Sequence, residues 1–303
     1  LFRKRTNQQM LSILIPTYNY DAYPLVSELH RQAEKEKIAY EILCYDDGST
    51  LEIVENQKIN ALSNSTFKKF DSNIGRTAIR NLMAQKASFE YLLFLDADMF
   101  PKSTYFLKNY IAELHISKES QAVFGGYAYN SSNQKQDLLR FRYGQKREEQ
   151  PAILRNKKPF KNIYSGNVLI HKPLFIATNT ILKSRYGLDL FFSSQLQRMK
   201  CIPKHIDNEV YHNGLESNAA FLKKSKEGVK TIWWLYKNNH ISEEQSQLIV
   251  VYHWLKKRKV VKLFQLTGSI FIDPVEWLLV RKKAPLVLFD FYRLYYYVTS
   301  DSQ

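Results

Sequence analysis

Short apolar runs alternate with amphipathic stretches across the first 125 residues. Residues 11–16 (Leu-Ser-Ile-Leu-Ile-Pro), 40–45 and 90–95 (Glu-Tyr-Leu-Leu-Phe-Leu) are too short and too uniformly apolar for surface helices, and they predict buried strands. Shorter runs at 66–70 and 121–125 predict two further strands. Between them, residues 21–37, 76–87 and 103–115 carry the mixed polar and apolar spacing of helices, with Pro101 at or before the start of the third. A fourth helix is expected over 51–60, capped by Ser49 or Thr50. Strand and helix in alternation predict βαβ units and a parallel sheet. Ligands of such sheets bind outside the carboxyl ends of the strands. Two acidic clusters, Asp46-Asp47 and Asp96-Ala97-Asp98, fall at predicted strand ends.

Residues 127–215 are mixed, with helices expected at 136–149 and 189–200 and strands at 163–170 and 202–206. From residue 216 helical, Lys-rich and aromatic patterns dominate, including 232–236 (Ile-Trp-Trp-Leu-Tyr) and 286–298. The expected division is therefore a sheet domain over 1–215 and a helical extension over 216–303. The pattern contains no internal repeat and no low-complexity linker.

Charge sharpens that division. The chain of 303 residues has a net charge of +15, of which residues 1–150 hold +2 and residues 151–303 hold +13. Such asymmetry points to an anionic partner or to a solubilising basic surface. The two cysteines, Cys44 and Cys201, form no CxxC, which argues against a thiolate zinc site and a disulfide framework. Cys44 lies in an apolar run and reads as core. Leu1-Phe2-Arg3-Lys4-Arg5 is basic but lacks a following apolar segment, and no run of about 18 apolar residues stands out. A reducing cytoplasm is the expected compartment, with no membrane span and with attachment at the inner membrane face left open.

Three motifs can carry chemistry. Two carboxylates at Asp96 and Asp98 can offer oxygen ligands to Mg²⁺ or Mn²⁺, which bind through one or two carboxylates plus substrate phosphates. An isolated D-x-D also arises in solvated turns; its place after Tyr-Leu-Leu-Phe-Leu favours the metal. Asp46-Asp47-Gly48-Ser49-Thr50 offers a carboxylate to a base or ribose, or forms a strand-to-helix turn. Asn73-Ile74-Gly75-Arg76 opens a helix, where the N-terminus and a guanidinium both favour an anion such as a diphosphate.

In this order these motifs resemble the family 2 glycosyltransferases of the GT-A fold. The resemblance rests on Ser12 to Asn19, Tyr45 to Thr50, Asn73 to Arg76 with Arg80-Asn81, and Leu95 to Asp98. It continues through Ser165-Gly166-Asn167 and His205 to His212, and covers about residues 10–215. It implies a Rossmann-like, mostly parallel sheet flanked by helices. It also implies a UDP-sugar donor, with Pro16, Thr17, Tyr18 and Asp47 lining the uridine pocket. Gly75 and Arg76 would then lie near the nucleotide and diphosphate, with Gly166 and Asn167 also in the donor site. Asp96 would contact ribose or metal, Asp98 would bind Mn²⁺ or Mg²⁺ directly, and His212 would be a further ligand.

The family is similar to inverting transferases, which need a general base for the acceptor hydroxyl. Where relatives carry a Glu-Asp pair, this chain reads Tyr186-Gly187-Leu188-Asp189-Leu190-Phe191-Phe192, with one acid. Asp189 is the candidate base; a helix-start Asp with no chemical role is the alternative. The resemblance implies transfer of a hexose or N-acetylhexosamine to a glycan or lipid-linked acceptor. A non-catalytic nucleotide- or glycan-binding relative, acting as a scaffold in glycan assembly, is the runner-up. A nucleotidyltransferase would share the sheet and the metal. Basic runs at 256–259 and 281–283 beside aromatics fit either an anionic membrane surface or a helical cap with solvated lysines. No nucleic-acid-binding module is recognisable.

Overall fold

The computed structural model describes residues 10–116, 121–131, 136–181, 185–281 and 283–300. The first elements are β1 (Met10–Thr17), α1 (Tyr23–Glu36), β2 (Ala39–Asp46), β3 (Ser65–Lys69), α2 (Arg76–Lys86), β4 (Tyr91–Leu95), β5 (Met99–Pro101) and α3 (Phe106–Ile116). Next come β6 (Ala122–Phe124), β7 (Tyr127–Ala128), α4 (Leu139–Arg147), α5 (Ala152–Asn156), β8 (Asn167–His171) and α6 (Lys172–Thr178). The remainder is α7 (Asp189–Arg198), β9 (Lys204–His205), β10 (Val210–His212), α8 (Asn218–Lys237), α9 (Gln247–Lys257), α10 (Val261–Val280) and α11 (Leu286–Ser300).

The described residues gather into two compact units. One takes in the chain as far as Ala128, the segment from Gln150 through β8 and α6, and Leu196–Asn213. The other takes in Tyr129–Glu149, Arg185–Gln195 and the chain from Gly214 onward.

The first unit holds a seven-stranded sheet in the order β3-β2-β1-β4-β8-β6-β9. Neighbours pair in parallel except where β8 runs antiparallel to β4 and β6. The α/β, mostly parallel sheet expected from the sequence is thus the observed architecture. In β1, Leu11, Ile13, Leu14 and Ile15 are all buried, as befits a central strand covered on both faces. Helix α1 buries Leu25, Val26, Leu29 and Ala33 at the three- and four-residue spacing that one helix face demands. A second sheet, β5-β10-β7, was not anticipated, because strands of two or three residues leave no periodic signal.

One helix expectation fails. Residues 51–60 do not form an α-helix; a 3₁₀ helix runs over Val54–Ala61, preceded by Ile53. Ser49 and Thr50 are turned to another task. The Ser49 hydroxyl accepts the Asn19 N–H at 2.7 Å, and Thr50 Oγ1 accepts the Asn19 side-chain amide at 3.1 Å, which joins the loops after β1 and β2.

The second unit is helical. Its core joins Leu139 of α4, Phe221 and Leu222 of α8, Ile272, Val275 and Leu279 of α10, and Phe289 and Tyr292 of α11. Asn218 ties it together: its side-chain oxygen accepts Leu139 N–H at 2.7 Å, and its amide donates to the carbonyls of Val280 and Arg281. Helix α10 modifies the expectation of no membrane span, since its 20 residues are long and apolar enough to cross a membrane by length and composition alone.

Candidate functional site

The carboxyl ends of β1, β2 and β4 carry the motifs together in the first unit. Parallel pairing sets Thr17 beside Asp46 and Leu14 beside Phe94, so the segments following these strands emerge at one edge. Gly48 makes the turn after β2 possible. Its φ of +70° favours glycine, and a Cβ would lie 2.6 Å from the backbone nitrogen of Asn73. That approach lets the buried Asp47 carboxylate accept the N–H groups of Ile74 at 2.8 Å and Gly75 at 3.0 Å. Burial raises the Asp47 carboxyl above its ordinary value, partly offset by these two hydrogen bonds. Thr17 is buried, its hydroxyl donating to the Tyr20 carbonyl, while Tyr18 is exposed.

Asp96 sits in a guanidinium clamp. Arg76 Nη2 lies 2.9 Å and Arg80 Nη2 2.6 Å from its oxygens. The clamp is anchored in turn: Arg76 donates to the Ser165 hydroxyl and Arg80 Nη1 to the Ser165 carbonyl. Burial alone would raise the Asp96 carboxyl, but the two positive charges outweigh it and hold the group well below the usual carboxylate range. Gly166 completes this contact, because a Cβ there would meet Asp96 Oδ2 at 2.5 Å. Arg80, quoted in the motif but given no role from sequence, is the buried member of the clamp.

Asp98 faces a different partner. Antiparallel pairing of β5 and β10 sets Met99 opposite His212, and His212 Nε2 comes within 3.5 Å of Asp98 Oδ2. The small sheet is what brings these two residues, more than a hundred positions apart, together. Tyr127 of β7 lies against the His212 ring, at 5.9 Å between centroids, and stacks on Tyr164. The Tyr20 hydroxyl is also near, its pKa raised by burial first and then by the Asp98 charge.

The residues present accommodate a divalent ion in part. A hard cation bound beside phosphates needs one or two protein oxygens, and a carboxylate with a neighbouring imidazole supplies a suitable pair. Asp98 and His212 meet that need. Both oxygens of Asp96 accept guanidinium N–H groups. Among the described residues no three His, Cys, Asp or Glu side chains form a ready-made metal cage.

Asn167 lies beneath the site instead of in it. It is fully buried; its oxygen accepts Tyr110 O–H at 2.7 Å and its amide donates to the carbonyls of Gly126 and Asn208. Arg155 braces the same region and had no sequence signal. Fully buried, it donates to the carbonyls of Gln150, Phe124, Gly125 and Ile206 and to His205 Nδ1. The His205 Nε2–H then donates to Pro159 O at 2.8 Å. Burial depresses the His205 imidazole to about 4, reinforced by the Arg155 charge against the Pro159 bond.

Asp189 opens α7 in the second unit. Its surroundings there are richer in acid than the sequence around it suggests. The Tyr186 phenol is pushed up to about 12, first by burial and then by Glu216, Glu148 and Asp189, with Arg140 opposing. Arg140 pairs with Glu148 at 2.9 Å, and the Tyr129 hydroxyl bonds the same carboxylate.

Comparison with known proteins agrees with this architecture. Residues 12–180, more than half of the chain, match the family described as Glycosyl transferase family 2. An uncharacterized glycosyltransferase of Rickettsia conorii is 32% identical over 133 residues, which are 43% of this chain and 20% of that protein's length. Among solved structures, mannosyl-3-phosphoglycerate synthase from Rubrobacter xylanophilus superposes with a TM-score of 0.54 at 12% identity, over 77% of this chain and 76% of that one. Glucosyl-3-phosphoglycerate synthase from Mycobacterium tuberculosis, in complex with Mn²⁺, uridine diphosphate and glucosyl-3-phosphoglycerate, gives a TM-score of 0.51 at 13% identity, over 74% and 78%. At these identities the likeness is one of fold.

Proposed function

Because this chain belongs to glycosyl transferase family 2, we propose that it transfers a hexose or N-acetylhexosamine from a UDP-sugar to a hydroxyl of a glycan or lipid-linked acceptor, with inversion at the anomeric carbon. The observation that carries the reading is the approach of His212 to Asp98, two residues beyond the arginine-clamped Asp96 at the end of β4. A nucleotide and a diphosphate are natural guests there. Asp47 organises the turn into α2, whose N-terminus favours anions, and Arg76 at that terminus is half exposed while still held by Asp96. The complex of the mycobacterial neighbour with Mn²⁺ and uridine diphosphate supports the choice of donor.

Asp98 and His212 would hold the divalent ion. When bound, that ion neutralises charge on the departing diphosphate. Arg76 would bind the diphosphate, with Asp96 and Ser165 fixing its guanidinium in place. Thr17, Tyr18 and Asp47 would line the uridine side, and Pro16 would shape the strand end beneath it. Asp189 would take the acceptor proton. The acceptor oxygen bonds to the anomeric carbon, the bond from that carbon to the phosphate oxygen breaks, and its electron pair leaves with UDP.

The test is UDP release from a panel of UDP-sugars with Mn²⁺, with and without candidate acceptors. The reading expects acceptor-stimulated release that Asp189→Ala abolishes while UDP binding survives. Full activity in that variant would remove Asp189 from the mechanism. Release of pyrophosphate from a nucleoside triphosphate would favour a nucleotidyltransferase instead.

A further inference from the structure

Helix α10 has three faces. Gly268, Ile272, Val275 and Leu279 form a buried stripe that joins the core of the second unit. A narrow polar arc carries Lys262, Gln265, Ser269, Asp273 and Glu276, with Glu276 accepting the Tyr296 hydroxyl. The third face is apolar and faces outward: Leu263, Leu266, Ile270, Pro274 and Trp277 recur at three- and four-residue steps, widened by Phe271 and Leu278. Leu266 and Ile270 are each 65% exposed and Trp277 is 56% exposed. A contiguous apolar strip along a helix about 30 Å long exceeds the scattered exposure normal for a water-facing surface.

Basic groups bracket this strip. Helix α9 ends in Lys256-Lys257, followed by Arg258 and Lys259, and α10 is followed by Arg281 and, after one residue, Lys283. At each bracket a guanidinium lies over an indole: Arg258 over Trp254 at 4.0 Å and Arg281 over Trp277 at 3.5 Å. Both tryptophans are half exposed. An indole with a cation at its face suits the boundary between acyl chains and headgroups, where the ring has an apolar body and the charge reaches anionic lipid.

We propose that the outward face of α10 docks in the plane of an anionic lipid bilayer, with the flanking cations on its headgroups. The buried stripe decides between lying and spanning: a helix held along one side by Phe221, Leu222, Phe289 and Tyr292 cannot surrender that side to lipid without opening the core. Charge decides between a bilayer and a second copy of the chain. Two copies meeting through this strip in antiparallel fashion would oppose the basic bracket at 256–259 to that at 281–283, and like charges disfavour that contact. An anionic surface satisfies both brackets at once. The proposal is independent of the transfer reaction.

The experiment is co-sedimentation of the full chain with vesicles of phosphatidylcholine, alone or mixed with phosphatidylglycerol. The expected result is binding to the mixed vesicles that weakens with salt and falls at least ~10-fold in the double variant Leu266→Glu, Ile270→Glu. Both positions face outward, so the thermal midpoint of that variant should match the wild type. A second variant, Lys256→Glu, Lys257→Glu, should lose the preference for anionic vesicles. No wild-type binding, equal binding to both vesicles, or undiminished binding by the Leu266→Glu, Ile270→Glu variant would each overturn the proposal. A wild-type dimer dissociated by that variant, without vesicle binding, would overturn it in favour of a second copy.

Discussion

The two units both bury paired charge, Arg140 with Glu148 in the helical unit as Arg80 with Asp96 in the sheet unit, and they differ in the apolar surface they leave outside. The sheet unit buries charge: Arg80 and Arg155 lie inside it, and Asp96 is clamped where Arg76 and Arg80 outweigh the cost of desolvation. The helical unit leaves a row of apolar side chains on α10 facing outward. Buried charge is tolerated where it is paired and hydrogen-bonded, and it fixes geometry. Exposed apolar surface fixes nothing within its own fold and calls for something outside it. The first unit is therefore built to hold a site, and the second carries a face suited to a surface.

The largest expected effect is at Asp189. Asp189→Ala should lower sugar transfer by about 10²–10⁴-fold, as loss of a general base does. Steady-state UDP release measures it, and unchanged turnover would remove Asp189 from the mechanism. Next comes the brace beneath the sheet site. Arg155→Met removes one of two N–H donors from each of the Phe124, Gly125 and Ile206 carbonyls, together with the bonds to Gln150 O and His205 Nδ1, and should cost about 3–5 kcal/mol in denaturant unfolding. A loss under about 1 kcal/mol would mean that the buried guanidinium is dispensable.

His205 gives a smaller effect with a definite sign. Its imidazole falls from 6.5 to about 4 on folding. Between those values the unfolded chain takes up a proton that the folded chain refuses. The contribution of this neutral imidazole is present at neutral pH and is lost as pH falls from 6.5 towards 4. The loss should amount to roughly 2–4 kcal/mol, and His205→Asn should flatten that part of the pH profile. The smallest effect is on α10, where Leu266→Gln should change folding stability by no more than about 0.5 kcal/mol. A cost of about 2 kcal/mol or more would show that the strip is internal packing, and the contrast between the units would fail.

Legibility in the sequence followed the length of each signal. β1, β2 and β4 were readable because four or five buried residues in a row exclude a surface helix, and Asp47, Asp96 and Asp98 were readable because they follow such runs. The helix expected at 51–60 was lost because Ser49 and Thr50 bond to Asn19, a partner about 30 positions away that local pattern does not contain. The sheet that unites Asp98 with His212 rests on strands of two and three residues and left no signal; the resemblance implied only that the two residues serve one metal. Asn167 was expected in the donor site from the resemblance, and its fully buried amide donates to the Gly126 and Asn208 carbonyls. Arg155 gave no signal, since a lone arginine in a polar stretch reads as solvated. The outward face of α10 was hidden by the polar residues that interrupt it along the chain and gather on one arc once it coils.

The proposed function requires that the ends of β1, β2 and β4, with Asp98 and His212, bind a nucleoside diphosphate together with a divalent ion. Calorimetric titration of UDP into the full chain, with Mn²⁺ and then with EDTA, tests it most directly, with Asp98→Ala alongside. Binding with Mn²⁺ is expected, weakened ~10-fold or more by EDTA or by Asp98→Ala. No heat of binding in either condition, or binding indifferent to both metal and Asp98, would contradict it.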